Sequence, residues 1–204
     1  MKNVGIVNYK MGNLRSIKNS LNYFGIKNEL VDTKEQIKSK THLILPGVGS
    51  FKQAMKNLDE LKLIDPIKNF VKEKKILGIC LGMQLLGKSS TEQSLSNGLN
   101  LVNMKFERFK NSQLKNLKIP HIGFNTITVE KDEGKFFRNI KQNSDFYFVH
   151  SFKTKNFDSL DSYSCCNYGE NFVAAFSKGN IFGTQFHPEK SQSNGAIILK
   201  NFLN

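Results

Sequence analysis

Cysteine, arginine and long apolar runs are all scarce in this chain of 204 residues. Its three cysteines cannot build a disulfide framework, because two of them, Cys165 and Cys166, are adjacent and would pair only by straining the peptide between them. No C-x-x-C spacing offers zinc a site, and no metal or cofactor is expected. The 165–166 pair reads as buried strand packing. No apolar run approaches the ~20 residues that cross a bilayer. The opening Met1-Lys2-Asn3-Val4-Gly5-Ile6-Val7-Asn8 lacks a basic segment followed by a long apolar one, so no secretion signal is expected. These absences predict a soluble, cytoplasmic chain without a membrane partner.

Lysine and arginine outnumber acidic residues 30 to 17, a net charge of +13. That balance suggests nucleic acid as a partner, but Arg15, Arg108 and Arg138 are the only arginines, and bidentate reading of base edges leans on arginine. The lysines are spread through every segment and form no stripe or tail. Nucleic-acid binding therefore ranks low, and a solvated basic surface is the plainer reading. With 39% hydrophobic and 23% charged residues the chain is expected to fold.

The first half alternates strand and helix. A strand over 4–8 leads to Leu14, Ile17, Leu21 and Phe24 at helical spacing, closed by Gly25. A short strand follows over 29–31, and Thr33-Lys34-Glu35-Gln36 has capping-box spacing. An apolar strand over 42–45 ends in Pro46-Gly47-Val48-Gly49, after which Ser50 is expected to cap a helix with Gln53 in the reciprocal position. Asp65-Pro66 opens a helix carrying Ile67, Phe70 and Val71, and a strand over 76–80 turns into a helix over 81–86. Strands dominate the second half, over 101–106, 126–129, 146–149, 163–166, 172–176 and 181–186, before a closing helix over 193–202. Residues 105–118 look most like loop. The expected fold is one α/β domain over 1–204, with a mixed, mostly parallel central sheet flanked by helices and antiparallel strands in the second half.

Gly78-Ile79-Cys80-Leu81-Gly82 is the sharpest chemical signal, a strand running into a nucleophile elbow. A side chain at the tip of such a turn needs small neighbours two residues before and after it. The helix after Cys80 aims its free N–H groups at the sulfur and favours the thiolate. A buried inert cysteine remains the alternative. A thiolate nucleophile needs an acid and base. In His187-Pro188-Glu189, read as an extended segment, residues two apart share a side, so Glu189 can orient the His187 imidazole. His42, at the start of an apolar strand, is expected to be structural. The loop Pro46–Gly49 lets Val48 or Gly49 turn an N–H into a cavity, where the N–H of Leu81 would complete an oxyanion hole; a plain tight turn is the alternative.

Several segments together resemble the class I, triad-type glutamine amidotransferases, and among them the glutaminase subunits of imidazole glycerol phosphate synthase. They are Asn8-Tyr9-Lys10-Met11-Gly12-Asn13-Leu14-Arg15-Ser16, Leu45-Pro46-Gly47-Val48-Gly49-Ser50-Phe51, Gly78 to Leu86, Pro120-His121-Ile122-Gly123-Phe124-Asn125, Tyr147-Phe148-Val149-His150-Ser151 and Gly183 to Ser191. The resemblance implies that Cys80 attacks the side-chain amide of L-glutamine to give a thioester and ammonia, with His187 shuttling protons and Glu189 orienting it. It implies substrate contacts from Gly47, Gly49, Gln84, Glu92, His150 and Ser151, with Glu92 pairing with the substrate ammonium. It further implies a (β/α)₈-barrel synthase subunit as heterodimer partner in histidine biosynthesis. Ammonia would pass to that partner through a water-poor path, and the partner would face residues 11–16 (Asn13 and Arg15 among them), Phe124 and Lys190. Full activity would await reordering of Gly47–Gly49 when the partner binds its ligand.

Three positions depart from the family's habit: Asn8 where it usually has Asp, Lys10 where it has Gly, and Phe124 where it has Trp. None belongs to the triad, but all lie near partner-facing segments. A paralogous glutaminase that supplies ammonia for amidination of a nonulosonic-type surface sugar is therefore a second reading. A cysteine peptidase would share the dyad but needs an open cleft, which Gln84 and Glu92 suit less well than a free amino acid.

Overall fold

The computed structural model describes residues 2–110 and 117–204. The chain runs β1 (Asn3–Val7), α1 (Leu14–Tyr23), β2 (Lys27–Val31), α2 (Lys34–Lys38), β3 (His42–Leu45), α3 (Phe51–Glu60), α4 (Ile64–Phe70), β4 (Lys75–Ile79) and α5 (Leu81–Leu86). It continues through β5 (Ser89–Ser90), β6 (Ser96–Asn97), β7 (Lys105–Arg108), β8 (His121–Asp132), β9 (Ser144–His150), β10 (Phe152–Lys153), β11 (Ser162–Asn167), β12 (Asn171–Lys178) and β13 (Ile181–Thr184). A 3₁₀ turn, Pro188–Lys190, precedes α6 (Gln192–Leu203).

Nine strands form one sheet in the order β2-β1-β3-β4-β13-β12-β11-β8-β9. The first five are mutually parallel, and the next four join by antiparallel pairing. Because side chains alternate across a strand, the sheet buries a core on each face. Val4, Ile6, Ile44, Leu77 and Ile79 meet α1 and α6 on one side, through Ile17, Leu21, Ile198 and Phe202. Val7, Leu43, Leu45 and Ile76 meet α2 to α5 on the other, through Ile37, Phe51, Leu58, Ile67 and Leu85. The capping box at Thr33 and Gln36 forms as its spacing predicts. The parallel strands deliver their carboxyl ends to one rim, where such sheets place their sites.

A second sheet of four short strands, β10-β7-β5-β6, lies beside the first. Fully buried Lys153 of β10 ties it down, with Nζ 2.5 Å from Glu107 Oε1 of β7 and 3.2 Å from Glu170 Oε2.

Three expectations change here. In place of a strand over 101–106, only Lys105–Arg108 is a strand. The preceding residues knit onto the end of α5, with the N–H groups of Leu101 and Val102 both donating to Leu86 O. The expected strand over 126–129 is instead the middle of twelve-residue β8, which pairs with β9 from His121↔His150 to Ile127↔Ser144. The loop expected over 105–118 is corrected at its start, where Lys105–Arg108 is β7 paired with β10 and β5, and residues 111–116 of it lie outside the described residues. Among the described residues no helix is long and apolar enough to cross a membrane.

Candidate active site

β4 carries Cys80 to the rim and releases it at φ 53°, ψ −109°, a left-handed conformation that a side-chain-bearing residue adopts only at a cost of about 1–3 kcal/mol. The surroundings enforce it. Cys80 N donates to Thr184 O at 2.7 Å, and Gln84 N donates to Cys80 O at 3.2 Å to start α5. A Cβ on Gly78 would come within 2.6 Å of Gly82 O and Met83 N, and one on Gly82 would overlap the Leu45 carbonyl. Gly82 thus makes room for the end of β3 as well as for the elbow. The cysteine is 6% exposed.

β13 brings His187 alongside. His187 Nδ1 lies 2.8 Å from Glu189 Oε1, as the short spacing predicts, but not through an extended segment. Pro188 opens a 3₁₀ turn, the position its fixed φ suits best. Ser191 Oγ closes the turn by donating to His187 O at 2.7 Å. The carboxylate accepts a hydrogen bond from Nδ1–H, so Nε2, buried and without a hydrogen bond among the described residues, is the nitrogen left for chemistry. Burial pushes the imidazole pKa down, but favourable interactions with the neighbouring Cys80 and Glu189 outweigh it and raise the pKa to about 10. The imidazolium form of His187 is the one these surroundings favour.

Cys80 opens into a cavity of about 240 Å³ lined also by Gly49, Leu81, Gln84, Glu92, His150 and Ser151, with Pro120, Val149 and Phe152 completing the wall. That is smaller than the roughly 300–1,000 Å³ of drug-sized ligand pockets and suits a small metabolite. A cleft of 580 Å³ elsewhere holds neither cysteine nor histidine among its lining residues.

Glu92 is fixed by its place in the fold. Its Oε2 accepts from Phe51 N at 2.7 Å and so caps α3, the task expected of Ser50, which makes no side-chain cap bond. Oε1 takes no part in that bond. His150 Nδ1 donates to Phe152 O at 2.8 Å, and its Nε2 lies 3.0 Å from Nδ1 of His121, whose Nε2 meets the Asn125 amide at 3.2 Å. A carbonyl at one end and an amide N–H at the other set both tautomers as neutral imidazoles, each ring nitrogen engaged. Burial agrees, lowering His150 to about 3 and His121 to about 4. His150 shapes the cavity and is not available as a second proton shuttle.

Gly47 and Val48 do not line the cavity. A Cβ on Gly47 would collide with Gly82 N and the Leu81 side chain, so this glycine locks the loop to the elbow. The preceding Pro46 O accepts from the buried Tyr9 hydroxyl at 2.5 Å. Past this anchor Val48 is 51% exposed and Gly49 has φ 120°. On the same rim Phe124 is half exposed with its edge on Tyr147, Lys190 Nζ lies 5.5 Å from the Tyr147 ring centroid, and Asn13 caps α1 beside exposed Arg15. His42 is held as expected, with Nδ1 3.0 Å from Thr41 Oγ1 and its ring edge-on to Phe202. Cys165 and Cys166 are free cysteines in β11, and burial pushes their thiols up to about 11 and about 12, a state that disfavours reaction.

Tyr9, His121 and Gln185 escape a reading of the sequence alone. For Gln185 the signal was present: a polar residue between apolar Phe182 and Phe186 at a strand end.

The family profile described as glutamine amidotransferase class-I matches residues 6–204. The chain is 44% identical over 210 residues to the imidazole glycerol phosphate synthase subunit HisH of Methanosarcina barkeri, covering all of this chain and 98% of that one. It is 41% identical over 202 residues to the subunit of the same name from Leptospira interrogans, covering 98% of each. Among solved structures, a glutamine amidotransferase superposes with a TM-score of 0.76 at 19% identity, over 98% of this chain and 96% of that one. PurLQS from Thermotoga maritima does so with 0.74 at 19% identity, over 100% and 98%. These two likenesses concern the fold. By profile and full-length identity together, this chain belongs to the class-I glutamine amidotransferase family.

Proposed function

We propose that the chain hydrolyses L-glutamine to L-glutamate and passes the ammonia to a (β/α)₈-barrel synthase subunit that makes imidazole glycerol phosphate in histidine biosynthesis. The observation that carries the chemistry is Cys80 in the wall of a small cavity that also presents Gln84 and Glu92, beside a buried, carboxylate-paired imidazole. The names of the HisH relatives support the pathway.

In this reading the Cys80 thiolate adds to the glutamine side-chain carbonyl. His187 Nε2–H then protonates the departing nitrogen as the tetrahedral intermediate collapses to a thioester and ammonia. Water attacks the thioester, giving its proton back to His187, and glutamate leaves. The Leu81 N–H faces the oxyanion, and an N–H from Val48 or Gly49 joins it once the loop reorders. Gln84, Glu92, His150 and Ser151 hold the amino-acid end, with the Glu92 carboxylate opposite the substrate ammonium. Free ammonia in water becomes ammonium, which is not a nucleophile, so delivery requires a docked heterodimer. Asn13, Arg15, Phe124 and Lys190 contribute to the docking rim.

The loop geometry supports partner dependence. Tyr9 and Gly47 pin the start of the loop, while Val48 and Gly49 beyond them are exposed and free to reorient their peptides. The isolated chain is therefore expected to hydrolyse glutamine weakly. Adding the ligand-bound barrel subunit should raise the rate by about 10²–10³-fold, the worth of one oxyanion donor. Glutamate release measured with and without that subunit checks this, and equal rates would contradict it.

One feature favours the sugar-amidination reading. Lys10, where the family usually has Gly, sits at φ 65°; the backbone keeps a glycine-like conformation while an exposed charge is added to the rim. An ammonia-transfer assay with each class of partner separates the two.

A further inference from the structure

A buried amide lies against the sulfur of the proposed nucleophile. Gln185 follows β13, is fully buried, and has its backbone N–H bonded to Ala174 O at 2.8 Å. Its side-chain Nε2 lies 3.7 Å from Cys80 Sγ. Its Oε1 accepts from Gln84 Nε2 at 3.3 Å, and Gln84 lines the cavity. A buried amide is costly unless both of its ends are bonded, and this one finds its partners in the sulfur and in Gln84.

The orientation follows from the sulfur's other contacts. Val149 O lies 3.6 Å from Sγ; as a carbonyl it can only accept, so it serves a thiol and repels a thiolate. Once the proton has moved from sulfur to His187 Nε2, the sulfur needs donors. With the amide reversed, Sγ would face two acceptors. With Nε2 toward it, the sulfur keeps a hydrogen bond that is strongest while it is anionic, both before attack and when it leaves the thioester.

We infer that Gln185 is a further catalytic residue, whose side-chain N–H donates to the Cys80 sulfur and holds it as the thiolate, with Gln84 fixing the amide's orientation. The inference rests on Cys80 being the glutaminase nucleophile, but its test does not require glutamine turnover. Gln185→Met keeps length and removes both hydrogen bonds; Gln185→Leu is a second variant. The readout is the alkylation rate of Cys80 by iodoacetamide across a pH series, resolved by peptide mass spectrometry from Cys165 and Cys166.

At neutral pH the rate is expected to fall about tenfold in both variants, with the wild-type rate regained about one pH unit higher. An unchanged rate, or a loss equal at every pH as disturbed packing would give, overturns the inference. If neither variant folds, the side-chain amide resonance of Gln185 in the unsubstituted chain decides. It should move when Cys80 is alkylated, and a resonance indifferent to alkylation overturns the donor role. If the wild type meets these expectations but does not hydrolyse glutamine with its partner, the proposed function fails and the donor role stands.

Discussion

Replacing Cys80 by alanine is expected to lower glutamine-dependent turnover by about 10⁴-fold or more, while the proposed barrel partner should still work when supplied with ammonium salts at alkaline pH. The size follows from the division of labour in the cavity. In the proposed mechanism the oxyanion donors and substrate contacts survive the substitution, but no other thiol lines the cavity. Cys165 and Cys166 cannot take over, since they lie in β11 with thiols pushed up by burial. Glutamate release by the reconstituted complex checks this. The variant should also lose the sulfur's share of the influence that raises the His187 imidazole, so that its imidazole titrates at lower pH.

Glu189→Gln should lower kcat by about 10⁴-fold with little change in KM, the size of effect seen when the orienting carboxylate of a triad is amidated. The glutamine side chain can still accept from Nδ1, so geometry persists while the charge that stabilises the imidazolium is lost. A stability signature accompanies it. Burial opposes protonation of His187, but Cys80 and Glu189 together raise its folded pKa to about 10, above the unfolded value of 6.5. A raised pKa contributes stability that is complete below pH 6.5 and disappears as pH climbs through 10. The advantage of the wild type over Glu189→Gln, read from urea midpoints, is therefore expected to be largest near pH 6.5 and to shrink toward pH 10. A gap that stays constant or widens over that range would show that the carboxylate does not support the imidazolium.

Local patterns made part of this site legible from sequence. The elbow at Cys80 is encoded by glycines two residues away on each side, and both prove to be places where a Cβ would strike backbone. His187 and Glu189 do meet, but through a 3₁₀ turn set by Pro188 and not through strand alternation. Glu92 shows the limit. Nothing near it in sequence marks it, because its partner, the Phe51 N–H, is 41 residues away; resemblance alone singled it out, and its capping of α3 emerged only from the fold. The small sheet was equally hidden, since two-residue strands such as Ser89–Ser90 and Ser96–Asn97 carry no periodicity. The length of β8 was not legible: the expected strand began at 126, whereas Gly123, at φ 127°, already pairs within it. The alternating parallel half was legible because β1, β3 and β4 are apolar runs buried on both faces, and α1 and α3 each bury one apolar stripe.

Covalent catalysis at Cys80 is the claim on which the account depends, and trapping the intermediate tests it most directly. The chain, assembled with its barrel subunit and turning over glutamine, is quenched in acid, digested and analysed by mass spectrometry. The account predicts one glutamyl group, glutamine less ammonia, on the peptide carrying Cys80 and on neither Cys165 nor Cys166, released by hydroxylamine. Steady ammonia production with no adduct at Cys80, or with the adduct on another residue, would contradict it.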